Sequence, residues 1–201
     1  MIANKKMNIL GIASSMRKES NSTRALKLIL DTIKTNYDAD VHILDLRHTI
    51  LPFLYYQGHD KKTEILTAEN MVKWADAFIL ATPDYHGSMA GSMKNFLDYF
   101  WSEFAGKLFG YICSSHEKGL TVMDQMRTAV RQCYGWSMPY GISINGEKDF
   151  DTSGNVTNNM LLQRMQMLAR DIVVYGKLHR NQFLNDLHSN ELNTFAFHYR
   201  N

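Results

Sequence analysis

Ala77-Phe78-Ile79-Leu80-Ala81-Thr82 runs straight into Pro83-Asp84-Tyr85-His86-Gly87-Ser88. A short, nearly continuous apolar run of this kind suits a strand buried on both faces. The proline, aromatic, histidine and glycine stand where that strand would end, and they suit contact with a flat ring. A turn with Tyr85 packed on the core is the plainer reading of the same residues. A helical pattern then follows over 90–102, carried by Met93, Phe96, Leu97 and Phe100.

The same succession of strand, loop and helix recurs on either side. Met7–Ala13 forms a first buried strand, and Ser14-Ser15-Met16-Arg17-Lys18-Glu19-Ser20-Asn21-Ser22 follows it. A helix is predicted over 22–36, where Ala25, Leu26, Ile29, Leu30 and Ile33 keep helical spacing. Residues 40–46 alternate as a second strand. A connection over 47–64 holds Leu51-Pro52-Phe53-Leu54-Tyr55-Tyr56, and 67–75 is a short helix. Leu108–Ser114 gives the fourth strand, 121–134 a helix with Met123, Met126, Val130 and Cys133 near one face, and 137–144 the fifth strand. A final helix is predicted over 158–176, with an additional tail over 177–201. This alternation predicts an α/β fold: a five-stranded parallel sheet with helices on both faces, in the order 2-1-3-4-5, the flavodoxin-like arrangement. Residues 1–176 would make one domain, and 177–201 a C-terminal extension that is not a second domain.

Composition narrows the function. A chain of 201 residues can bury one substantial core. With 45% hydrophobic and 21% charged residues it reads as a soluble globular protein. A net charge of +2 with no long run of lysine or arginine argues against nucleic acid as a partner. The start of the chain lacks the apolar stretch of a signal peptide, and no run of about 18 apolar residues exists to span a membrane. Cys113 and Cys133 are too few for a disulfide framework and read as buried structural thiols in a reducing compartment, the cytoplasm. His86 and His116 lack ligand partners at a metal-binding spacing, so no metal is expected. Gly-x-Ser-x-Gly is absent, and no residue is nominated as catalytic.

In the predicted topology, the loops after strands 1, 3 and 4 meet at the carboxyl edge, where the strand order reverses and ligands bind. The first loop can hold a phosphate through Ser15, Arg17, Ser20, Asn21, Ser22 and the positive end of the next helix. Ser20, Asn21 and Ser22 are equally good helix caps. A dinucleotide fingerprint fails because Gly11 is the only glycine near this turn, and the Gly-Lys-[Ser/Thr] of a P-loop is missing. In the second loop, Pro83, Asp84, Tyr85, His86 and Gly87 would border a ring. In the third, Ser114, Ser115, His116 and Gly119 precede a helix whose dipole favours negative charge on a ligand; a polar strand-to-helix connection is the alternative.

These residues resemble the NAD(P)H-dependent FMN reductases of flavodoxin-like fold, a family that includes quinone, azo-dye and chromate reductases. The first loop is similar to the family's Gly-Ser-x-Arg-x-x-Ser-x-Asn: Ser15, Arg17 and Ser20 match, while Ser14 replaces the leading glycine and Ser22 the final asparagine. Residues from Pro83 to Asp98 resemble the longer Pro-x-Tyr-[Asn/His]-x-Ser-x-x-Gly-x-x-Lys-Asn-x-x-Asp. Leu51-Pro52 and the segment from Phe150 to Thr157 match two shorter family features, whereas Ser115-His116-Glu117-Lys118 replaces a glycine-bearing loop. The resemblance implies FMN as cofactor and NADPH or NADH as co-substrate. It implies two-electron transfer to a small-molecule acceptor such as a quinone, azo dye or flavin, and a homodimer or homotetramer. It places Pro83 to Gly87 along the flavin ring, and Lys94, Asn95 and Asp98 mainly at the helix and subunit interface. The alternative is a flavodoxin-type electron carrier without direct NAD(P)H oxidation. Carriers of that type are commonly acidic, and a pI of about 8.4 leans against it.

Overall fold

The computed structural model describes residues 6–54 and 62–200. The loop expectation at Tyr55, Tyr56 and Gln57 lies outside them. In chain order the elements are β1 (Met7–Ala13), α1 (Asn21–Asn36), β2 (Ala39–Asp45), α2 (Thr63–Trp74), β3 (Ala77–Tyr85), β4 (Ser88–Met89) and α3 (Gly91–Asp98). There follow β5 (Leu108–Ser114), α4 (Leu120–Gln132), β6 (Trp136–Ser137), β7 (Ile142–Ile144), α5 (Gly146–Asp149) and α6 (Asn159–His188). The sheet runs β2-β1-β3-β5 in parallel, and β6 and β7 both pair with β5. This is the flavodoxin-like order expected.

Two strands depart from their expected form. The fifth splits into β6 and β7 around Pro139, which has no N–H to give to the ladder. Met138 N still donates to Phe109 O at 2.8 Å, so the line of the strand continues across the gap. The third strand is longer than its apolar run. It leaves the sheet edge and folds back on β4 as a hairpin, with Asp84 opposite Met89 and Tyr85 opposite Ser88.

The period-2 alternation of the central strands explains the two layers. Ile9, Ile79 and Ile112 are buried with the apolar stripe of α1 and with Leu168, Ala169 and Ile172 of α6. Leu10, Ile12, Phe78, Leu80, Phe109 and Tyr111 are buried on the other face with residues of α2, α3 and α4. Helix α1 begins where Ser20 caps it, its hydroxyl accepting from Thr23 N at 3.3 Å. Leu26, Ile29 and Ile33 are fully buried beneath it; truncating any one to alanine costs about 2–5 kcal/mol.

The last helix runs through Gly176 to His188 rather than ending there. A glycine inside a helix usually costs stability. Here it lets α6 cross the foot of the sheet closely, since a Cβ at Gly176 would lie 3.1 Å from Met7 and 3.4 Å from Ala77. The extension then packs on its own chain. Phe183 lies on Gly106 and is buried with Ala105 and Ala196. Arg200 closes the segment through bonds from one guanidinium nitrogen to Asp186 O, Glu191 O and Ser189 Oγ.

A buried polar cluster holds this foot. Asp76 accepts from Arg180 Nε at 2.8 Å and from Asn8 N at 3.1 Å. Lys107 Nζ donates to Val72 O at 3.0 Å and lies 5.5 Å from the Phe78 ring centroid. Burial first, then the Arg180 charge, pulls the Lys107 ammonium from 10.5 down to about 8, against the pull of Asp76 and Glu103. The unfolded chain therefore holds this proton over a range where the folded chain has released it, so the lysine's contribution to stability grows as pH rises through that window. Relative to Lys107→Met, the wild-type protein should gain stability between pH 8 and 10, by up to about 1.4 kcal/mol per pH unit. Urea unfolding of both proteins at pH 7.5 and 9.5 measures this, and parallel changes would refute it.

Candidate functional site

At the carboxyl edge of the sheet the loops after β1, β3, β5 and β7 surround a cleft of about 590 Å³. Its lining includes Arg17, Asn21, Pro83, Asp84, Tyr85, Ser114, Ser115, His116, Glu117 and Gly146. Eight of these are residues nominated from sequence. Glu117 and Gly146 are additional.

The first loop divides into residues that line and residues that shape. Arg17 is exposed and Asn21 half-buried, both at the cleft. Ser15, Ser20 and Ser22 are buried beneath it. Ser15 Oγ accepts from Arg17 N at 3.3 Å, Ser20 caps α1, and the Ser20 and Ser22 hydroxyls bond each other at 3.0 Å. So the capping reading holds for Ser20. The first turn of α1 carries no acidic side chain, which leaves its positive end available to an anion.

The second loop is a two-residue hairpin turn. His86 and Gly87 both have positive φ, 57° and 75°, the combination that matches the twist of a tight hairpin. His86 and Gly87 form the exposed tip, while Pro83, Asp84 and Tyr85 line the cleft below them. Asp84 joins two loops: Oδ1 accepts from Gly87 N at 2.8 Å, and Oδ2 accepts from Ser115 Oγ at 2.8 Å. Asn-Gly at the turn would have advertised this hairpin; His-Gly is a weaker signal.

In the third loop Ser115 N donates to Ile144 O at 2.9 Å, and Asn145 Nδ2 donates to His116 O at 3.2 Å. Gly119 lies at the N-cap of α4 with φ 58°, outside the cleft lining, where a Cβ would lie 2.5 Å from Cys113 Sγ. Beside it, burial and secondarily the Asp84 carboxylate push the Cys113 thiol up to about 12. It stays protonated and unreactive at neutral pH.

A fourth loop, after β7, escaped sequence reading. A Cβ on Gly146 would overlap the Asn21 side-chain amide, so the glycine lets Asn21 keep its place at the cleft. The position is held by Asp149, whose carboxylate accepts from Asn145 N and Asn158 Nδ2, both at 2.7 Å. The Asn145-Gly146 pair at the end of a predicted strand was the available signal.

Among the described residues, no group of three or more His, Cys, Asp or Glu could hold a metal ion. No described helix is long and apolar enough to cross a membrane.

Residues 7–149 match the family described as NADPH-dependent FMN reductase. An FMN-dependent NADPH-azoreductase of Staphylococcus saprophyticus is 29% identical over 162 residues, which cover 76% of this chain and 85% of the relative. One from Staphylococcus haemolyticus is 31% identical over 148 residues, 69% of this chain and 77% of the relative. Among solved structures, FerB, a flavoenzyme NAD(P)H:(acceptor) oxidoreductase from Paracoccus denitrificans, superposes with a TM-score of 0.72 at 18% identity, covering 86% of this chain and 98% of that one. At that identity the likeness speaks for the fold.

The Cys113 environment is directly testable. At pH 7 a thiol reagent should leave Cys113 unmodified in the native protein and label it in urea, as read by peptide mass spectrometry. Prompt native labelling at Cys113 would contradict its burial.

Proposed function

The chain belongs to the NADPH-dependent FMN reductase family, and from that premise we propose that the cleft holds FMN and serves an NAD(P)H oxidoreductase acting on small-molecule acceptors such as azo dyes or quinones. The observation that carries the reading is the division of the cleft. Arg17, Asn21 and an acid-free helix start form one side, suited to a phosphate. Pro83, Tyr85 and the Ser114–His116 backbone form another, suited to a flat ring with a polar edge. The glycine at 146 lets the Asn21 side chain lie close against the fourth loop.

When bound, FMN would supply the redox chemistry, taking two electrons from the nicotinamide and passing two to the acceptor. The chain's own residues bind and orient. Arg17 and the first-turn amides of α1 neutralise the phosphate. The β3–β4 hairpin presents backbone groups from Asp84 to Gly87 along the ring edge. Donors from Ser114 onward, and the start of α4 with no acidic residue in its first turn, favour negative charge on the ring. This chemistry needs no obligatory protein acid or base, in keeping with the absence of a nominated catalytic residue.

We read the protein as cytoplasmic, supported by its two free cysteines. We read it also as a homodimer or homotetramer. That is supported by Phe53 and Trp101, 74% and 65% exposed, beside a cavity of about 560 Å³ along α3.

The purified protein should take up FMN, show a flavin spectrum, and oxidise NADPH with an azo dye or quinone present. A protein that neither binds FMN nor turns over would end this reading; FMN binding without direct NADPH oxidation would favour an electron carrier. Arg17→Ala should weaken FMN binding about 10- to 100-fold, measured by fluorescence titration, as expected for loss of a charge-assisted phosphate contact.

A further inference from the structure

We propose that Gln125, on α4 outside the cleft, is a positioning residue that sets which acceptors the cleft admits. The inference rests on the reading of the cleft as the FMN site.

Gln125 grips the returning limb of the hairpin by both ends of its amide. Its Oε1 accepts from Ser88 Oγ at 2.9 Å and from Met89 N at 3.3 Å, and its Nε2 donates to Gly87 O at 3.2 Å. The base of the hairpin is fixed separately, by Ala90 N donating to Thr82 Oγ1 at 3.0 Å. The outgoing limb is fixed by Asp84. The tip is therefore tied to the body by two side chains, Asp84 toward the third loop and Gln125 toward α4, and Gln125 alone holds the returning limb at Ser88 and Met89. Tyr85, which lines the cleft, is paired in register with Ser88, which Gln125 holds. Moving Ser88 moves Tyr85.

The hairpin is also a partition. On its far side lies a second cavity of about 620 Å³, bordered by Ser88, Met89 and Gln125. Tyr85 faces the cleft and Ser88–Met89 the cavity, so the bonds of Gln125 keep two spaces apart. Without them the turn, built on two residues with positive φ, can lean into the second cavity and widen the cleft beside Tyr85. Bulky acceptors gain most from that widening. The phosphate side, on Arg17 and Asn21, makes no use of Gln125.

The test compares FMN-loaded wild type, Gln125→Leu and Gln125→Glu with NADPH and two acceptors, a small benzoquinone and a two-ring azo dye. Leucine removes all three bonds; glutamate keeps the accepting end and loses the donor. The ratio of kcat/KM for dye over quinone should rise about fivefold or more in Gln125→Leu and by less in Gln125→Glu, with kcat for the quinone within about twofold and FMN affinity within about threefold. If Gln125→Leu does not fold, Ser88→Ala, which removes one bond, should raise the ratio about twofold. An unchanged ratio in a folded, FMN-binding variant overturns the proposal, as does an equal fall in kcat for both acceptors. Wild-type protein that binds no FMN overturns the functional reading, and the proposal with it.

Discussion

The cleft depends on a pairing that outlasts the strands themselves. Ser14, the first residue past β1, donates its amide and its hydroxyl to the carbonyl of Ala81, each at 3.1 Å. Ser92, at the start of α3, donates its hydroxyl to Ser14 O at 2.6 Å. These bonds satisfy buried backbone groups at the point where β1 and β3 part company, groups that would otherwise be costly. They also hold the phosphate-side loop, the ring-side hairpin and α3 at fixed distances. The motif that this loop resembles has glycine here, whereas this chain has Ser14, whose hydroxyl is fully buried with a partner. The substitution is compatible with the fold because the neighbouring carbonyl accepts it.

The layered fold was legible because its signals are periodic. Ile9, Leu10 and Ile79, Leu80 alternate between two helical layers, and Leu26, Ile29 and Ile33 fall on one helix face. Such patterns follow from burial alone. That Arg17, Pro83, Asp84 and Tyr85 lie at the cleft was legible for another reason: each sits within a few residues of a strand end. Ser15, Ser20, Ser22 and Gly119 are buried and lie outside the cleft lining. A hydroxyl that caps a helix and one that meets a phosphate look alike in sequence.

What sequence did not yield was set by distant partners. Gly146 matters because of the Asn21 side chain, and Gln125 because of a hairpin that lies 36 to 38 residues earlier in the chain. The continuation of α6 past Gly176 depends on how closely the helix approaches Met7 and Ala77. No local pattern encodes these approaches. Pro139 was visible, yet its effect on the fifth strand emerged only with the bond from Met138 to Phe109 that carries the line onward.

The foot of the molecule orders events in time. Asp76 meets Arg180, 104 residues further along the chain. A ribosome adding about 5–20 residues per second would leave that carboxylate waiting roughly 5–20 s for its partner. All the strands have been synthesised by Ile144, so the rim can assemble while the foot still holds an unpaired charge. The sheet cannot be closed on both faces until α6 has been made, since the same helix carries Arg180 to the foot and Leu168, Ala169 and Ile172 to one face of the strands.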